Sequence, residues 1–189
     1  MKKILTLFER DWHGNHQVVD KLSPGCEWVI AGEGVPTVKY DGTACLVRGG
    51  KLYKRYELKP NRAAPVGFEA AQEADPITSE MPGWVPVGDG PEDKWHREPW
   101  MRLLDAFIQV PDGTYELIGP KVQGNPQHSA AHHLVRHGQD ILSNVPATFD
   151  GLAAYLAEHP IEGIVWHHPD GRMVKIKRRD FGLQWPATK

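Results

Sequence analysis

Three short stretches carry residues whose chemistry goes beyond packing. They are Lys39-Tyr40-Asp41-Gly42, Glu162-Gly163-Ile164-Val165 and Lys175-Ile176-Lys177. A lysine amine attacks only when neutral, and its ordinary pKa of about 10.4 leaves little neutral amine near pH 7. Nearby cations or a metal ion favour the neutral form. Lys54, Arg55, Lys175 and Lys177 are candidates to supply such cations. The same charges stabilise negative charge developing on a phosphoryl group. Lys175 and Lys177 alternate on an expected strand, so they share one face while Ile176 points to the core. Two bland readings compete. Asp41-Gly42 is also a common hairpin turn, and Lys-Ile-Lys also suits the solvated face of an edge strand.

Glu116 and Glu162 are each expected at a strand edge, where a carboxylate suits a hard ion such as Mg²⁺ or Mn²⁺, or ribose hydroxyls. His128, His132, His133 and His137 form two i,i+4 pairs on a segment that reads as a helix. That spacing suits zinc, but no cysteine accompanies it, and solvent-facing or phosphate-contacting histidines are the preferred reading. Arg172, Lys175, Lys177, Arg178 and Arg179 make the densest basic patch and the best candidate for a short, salt-sensitive nucleic-acid track.

The elements that must position these groups follow from periodicity. Strands are expected at Lys3 to Phe8, Cys26 to Ala31, Thr43 to Val47, Leu52 to Tyr56 and Thr114 to Ile118. A last hairpin joins Ile164 to His168 with Met173 to Ile176 across Pro169-Asp170-Gly171. Residues 60–99, rich in proline and glycine, read as a long surface insertion with one short helix near Gly67 to Ala74. Pro99 suits the first turn of a helix through Trp100 to Ile108, with Met101, Leu104, Phe107 and Ile108 on one face. Thr148 suits the N-cap of a helix from Phe149 to Glu158. Many strands, few helices and no regular βαβ alternation predict an α+β fold of antiparallel sheets with flanking helices.

Composition sets the outer bounds. The 189 residues suit one domain, and 40% hydrophobic content is enough for a core. A net charge of −2 excludes a uniformly basic nucleic-acid coat. Two cysteines, not in a Cys-x-x-Cys pair, suit a reducing, cytoplasmic setting. No apolar run is long enough for a membrane span, and no secretory signal is evident.

Lys39-Tyr-Asp-Gly, Glu116 in Tyr-Glu-Leu-Ile-Gly, Glu162-Gly-Ile-Val and Lys175-Ile-Lys resemble, in order, motifs I, III, IV and V of the covalent nucleotidyltransferases. These are the polynucleotide ligases and the mRNA capping guanylyltransferases. The strings Leu-Lys-Pro-Asn at 58–61, Pro-Gly-Trp-Val-Pro-Val at 82–87, Ile-Glu-Gly-Ile-Val-Trp-His at 161–167 and Gly-Leu-Gln-Trp-Pro at 182–186 bring the resemblance closest to the vertebrate-type ATP-dependent 5′-to-3′ RNA ligases. It spans nearly the whole chain. It implies one nucleotidyltransferase domain over 1–189 with the insertion at about 60–99, and the stretch after Lys177 is too short for the OB domain that DNA ligases append.

The resemblance also implies roles. Lys39 is the nucleophile that takes AMP from ATP. Thr37 and Val38 offer backbone groups to adenine, Asp41 and Gly42 shape the ribose side, and Lys175 and Lys177 clamp the α-phosphate. Glu116 binds ribose or metal, and Glu162 binds Mg²⁺ or Mn²⁺. Arg55 contacts the RNA 5′-phosphate or the ribose; Lys59 and the basic pair Arg178 and Arg179 are further candidates for RNA or phosphate contact. The partner is RNA with 5′-phosphate and 3′-hydroxyl ends; protein partners are not indicated. The alternatives are a guanylyltransferase or protein-adenylylating enzyme using the same covalent step, and a non-catalytic module binding RNA ends or nucleotides. Ala44 departs from the arginine many DNA ligases carry there, which favours RNA.

Overall fold

The computed structural model describes residues 4–186. Its strands in chain order are β1 (Leu5–Thr6), β2 (Phe8–Arg10), β3 (Val18–Leu22), β4 (Val35–Lys39), β5 (Thr43–Arg48), β6 (Lys51–Leu58), β7 (Glu69–Ala70), β8 (Met81–Pro86), β9 (Gly113–Ile118), β10 (His133–Arg136), β11 (Gly163–His167) and β12 (Met173–Lys177). The helices are α1 (Glu27–Ile30), α2 (Lys94–Asp105) and α3 (Phe149–Glu158). The architecture is α+β, built mainly on antiparallel pairing, as the sequence predicts. The residues fall into two compact units, Asp41–His137 and residues 4–40 with 138–186.

In the discontinuous unit a four-stranded sheet runs β1-β12-β11-β4. Only the β1–β12 pair of that sheet is parallel. Period-two alternation gives the sheet two unlike faces. Ile164, Trp166, Val174 and Ile176 point to one side and pack with Leu152, Tyr155 and Leu156 of α3 and with Trp28 and Val29 of α1. Thr37, Lys39, Lys175 and Lys177 occupy the alternate positions. The expected cap is present: the Thr148 hydroxyl accepts the Gly151 N–H at 3.2 Å.

The continuous unit is one antiparallel sheet, β10-β9-β5-β6-β8-β7. Its core gathers Cys45, Val47, Leu52, Trp100, Tyr115, Leu117 and Val122.

Several expected elements differ. Lys3 of the first expected strand lies outside the described residues, and the remainder divides into β1 and β2 around the fully buried Leu7. Cys26 to Ala31 contains the helical turn α1 rather than a strand. A short apolar run does not distinguish the two by periodicity. The histidine segment is not a helix. His133–Arg136 instead pairs with the edge of β9, so sheet pairing satisfies the backbone groups a helix would have bonded internally. Residues 60–99 are not all loop, because β8 carries the buried Trp84 and Val85 into the sheet. The helix α2 starts five residues before Pro99, and Pro99 and Trp100 face inward. The apolar set Met101, Leu104, Phe107 and Ile108 is exposed, and Phe107, at 96%, lies beyond the end of the helix.

Candidate functional site

Strand register assembles the basic residues of the discontinuous unit. Gly163 pairs with Lys39 on one side and with Lys177 on the other. One step along, Val165 pairs with Thr37 and with Lys175, and Lys175 pairs with Thr6 of β1. Neighbouring strands lie roughly 4.8 Å apart, so Lys39 and Lys177 are separated by one strand whose facing residue has no side chain. Gly163 is required there, since a Cβ would stand 2.2 Å from the Ile176 carbonyl oxygen.

Glu162 sits at the start of this row. The Lys39 Nζ donates to Glu162 Oε2 at 2.5 Å and to its neighbour's carbonyl, Tyr40 O, at 3.3 Å. The side chains are only 23% and 11% exposed, so water screens the pair weakly. Lys175 is pushed down to about 8, first by burial and then by Lys177 and Lys39, with Asp180 and Glu162 opposing. Three ammonium groups thus share one partly buried sheet face, an arrangement suited to an anion. Lys177 is fixed through its backbone. Its N–H donates to Asp180 at 2.8 Å, and Asp180 is buried and also takes Arg10 at 2.6 Å.

Thr37 is almost fully buried. Its hydroxyl donates to the Val165 carbonyl at 3.1 Å, so the 3.1 Å contact from His167 Nε2 is a donation to the same oxygen. Val38 has its N–H bonded to Asp140 O at 2.9 Å. Asp140 also accepts the Tyr40 hydroxyl at 2.9 Å; burial first, and then this bond, push Tyr40 up to about 12. His167 and Asp140 were not singled out for this contact by sequence. Strand alternation does place His167 on the Thr37 face.

In the continuous unit, Gly42 and Glu116 come together. The Gly42 N–H donates to Glu116 Oε1 at 3.1 Å, and His137 Nε2 donates to Glu116 Oε2 at 2.8 Å. The other ring nitrogen of His137 meets the Thr114 hydroxyl at 3.0 Å. A Cβ at Gly42 would lie 2.2 Å from the Leu117 carbonyl, so close approach rather than turn geometry explains this glycine. The carbonyl of Asp41 accepts Gln127 Nε2 at 3.1 Å.

The four expected phosphate or RNA contacts diverge. Arg55 pairs with Glu57 at 3.0 Å and lies over the Trp84 ring, and Lys59 pairs with Glu80 at the surface. Arg179 is exposed. Arg178 is buried, and its guanidinium is spent on the carbonyls of Leu156, His159 and Gln184, so it clamps α3 to the chain after β12.

Among the described residues no three or more His, Cys, Asp or Glu side chains converge as a metal cage. Mg²⁺ does not require one: it is held by one or two carboxylates together with phosphate oxygens and water. Glu162, a hard oxygen donor beside the lysine row, fits that mode.

Comparison with known proteins agrees with the motifs. The family model RNA ligase 1 matches residues 104–189, a stretch that includes Glu116, Glu162, Lys175 and Lys177. RNA ligase 1 of Pongo abelii is 28% identical, with 80% of this chain and 68% of that protein covered. The Danio rerio protein of that name is also 28% identical over the same shares. The Mus musculus protein is 31% identical over 61% of this chain and 45% of its own length.

Proposed function

We propose, from the premise that the chain is a relative of the RNA ligase 1 family, that it joins RNA ends at the expense of ATP through a lysyl-adenylate. The observation that carries this reading is the register row Lys39, Gly163, Lys177, with Lys175 one step away and Glu162 against the Lys39 ammonium.

In the proposed first step the neutral Lys39 amine attacks the α-phosphorus of ATP. The phosphorus–nitrogen bond forms, the bond to the bridging oxygen breaks, and pyrophosphate leaves with the electron pair. Lys175 and Lys177 hold the negative oxygens of the α-phosphate. Glu162 is positioned to take the proton that Lys39 sheds. A divalent ion held by Glu162, when bound, would add Lewis-acid charge against the polyphosphate. An RNA 5′-phosphate oxygen then attacks the same phosphorus and expels Lys39, giving an RNA capped with AMP. A 3′-hydroxyl attacks the RNA phosphorus, forms the phosphodiester and releases AMP. The resemblance assigns adenine to Thr37 and Val38, the ribose to Asp41, Gly42 and Glu116, and an RNA contact to Arg55, with Lys59 and Arg179 as further candidates.

The test is joining of RNA bearing 5′-phosphate and 3′-hydroxyl ends. ATP should yield a sealed product and one AMP per joint, and GTP should not. A covalent adduct formed from GTP alone would contradict the ligase reading in favour of a guanylyltransferase.

A further inference from the structure

On the β1 side of the lysine row lies a groove of about 550 Å³ whose walls include Thr6, Glu9, Arg10, Trp12, Lys175 and Lys177. Its volume falls within the roughly 300–1,000 Å³ of ordinary ligand clefts. Three observations define what it suits. First, Trp12 is 69% exposed, a large ring offered to solvent instead of to the core. Second, that ring is not loose: the Arg10 guanidinium lies 5.6 Å from its centroid, and Arg10 is itself held by Asp180 and by the His16 carbonyl. Asp180 in turn bonds the backbone of Lys177, so one chain of contacts links the ring to the lysine row. Third, the charges do not cancel. Glu9 is paired with Lys21 at 2.9 Å and Arg10 with Asp180, which leaves Lys175 and Lys177 as the groove's net charge.

An exposed aromatic platform beside positive charge is how single-stranded nucleic acids are held, with bases on rings and phosphates on cations. The geometry points to this groove as the seat of a nucleotide of the single-stranded RNA to be joined, its base stacked on Trp12 and its phosphate on Lys175 and Lys177. The inference rests on the ligase reading, which assigns the adenylate to Lys39 at the opposite edge of the four-stranded sheet. The β1 edge is thereby left to the polynucleotide. The lysine pair would be common to both, so an RNA phosphate would lie beside the phosphoryl group it must reach.

The probe is a 5′-phosphorylated, 3′-blocked single-stranded oligoribonucleotide with 5-iodouracil in its first nucleotide, bound without ATP. Trp12→Ala should weaken its affinity about tenfold, the scale of one base–aromatic stack. Trp12→Phe, which keeps a ring, should retain most of the affinity. Photocrosslinking of the unmodified protein should map to Trp12. Wild-type affinity in Trp12→Ala, a crosslink elsewhere, or UMP binding as tightly as the oligonucleotide would each overturn the assignment. Lysyl-AMP formation by the unmodified protein is scored separately. If it forms while any of those results is found, only the groove assignment falls. If it does not form, the proposed ligase function falls.

Discussion

Lys39 and Glu162 are locked together at 2.5 Å at one end of a row of basic residues. The pair joins residues far apart in the chain, and the register of β4, β11 and β12 makes it. An ammonium held this way is not yet a nucleophile. The Glu162 carboxylate is both its anchor and, in the proposed reaction, the group nearest its proton. Lys175 and Lys177 on the same face disfavour further positive charge and favour an incoming anion. One sheet thus has two unlike faces: one is core, and the other carries the lysine row on which the proposed chemistry would run.

The glycine in the middle of that row is the first test. Gly163→Ala places a methyl against the Ile176 carbonyl, forcing β11 and β12 apart. Overpacking of this kind costs about 1–3 kcal/mol. Urea unfolding should show the loss in its midpoint, and adenylation should fall more steeply than stability does. An unchanged midpoint would mean the strands separate freely and that the row is not rigid.

Lys175 makes anion binding depend on pH. Its amine titrates at about 8 rather than 10.5. Below about 8 it is protonated in the folded and unfolded chain alike, and the cost of burying its charge is borne in full. From about 8 to 10.5 the unfolded chain binds more protons, so this group's contribution to stability rises with pH. Its attraction for phosphate moves the opposite way. Calorimetry with a non-hydrolysable ATP analogue should show affinity falling between pH 7 and 9. Lys175→Met should bind more weakly at pH 7 and lose most of that slope. An equally steep slope in the variant would assign the effect to another group.

His137 is a positioning residue for Glu116, which it holds at 2.8 Å. Hydrogen bonds to charged groups contribute about 1.5–3 kcal/mol. If Glu116 meets the ribose, His137→Ala should raise the KM for ATP about tenfold, the equivalent of 1.4 kcal/mol. His137→Gln, which keeps a donor, should recover much of the loss. A KM unchanged in His137→Ala would separate Glu116 from nucleotide binding.

Arg178 and Arg179 are neighbours with opposite expected behaviour. Arg178→Ala strips the buried Leu156 carbonyl and the part-buried His159 and Gln184 carbonyls of their donor and should cost about 2 kcal/mol or more in denaturant unfolding. Arg179→Ala, at an exposed position where the guanidinium donates to the Trp185 carbonyl at 3.1 Å, should cost about 1 kcal/mol or less. Equal effects would contradict a structural Arg178.

The sequence made the α+β class, the last hairpin, the Thr148 cap and the shared face of Lys175 and Lys177 legible, because each depends on a local period or turn. It did not reveal that Gly163 would stand between Lys39 and Lys177. Register joins residues distant in the chain and leaves no mark on any one segment. The histidine segment misled for a related reason. His128, His132, His133 and His137 fit the i,i+4 pattern, yet the edge of β9 offered residues 133–136 hydrogen bonds that no helical period reveals. Arg178 looked like the rest of its basic run until burial separated it from Arg179. Met101, Leu104, Phe107 and Ile108 have helical spacing, but α2 ends at Asp105, before Phe107 and Ile108, and Pro99 and Trp100 are its buried side.

The central claim is that Lys39 carries AMP. Intact mass after incubation with ATP and Mg²⁺, beside the Lys39→Ala variant, tests it most directly. The account predicts a gain of one AMP in the unmodified protein, none in the variant, and discharge of the adduct by RNA bearing a 5′-phosphate. An adduct retained by Lys39→Ala, or its complete absence from an unmodified protein that still binds ATP, would contradict it.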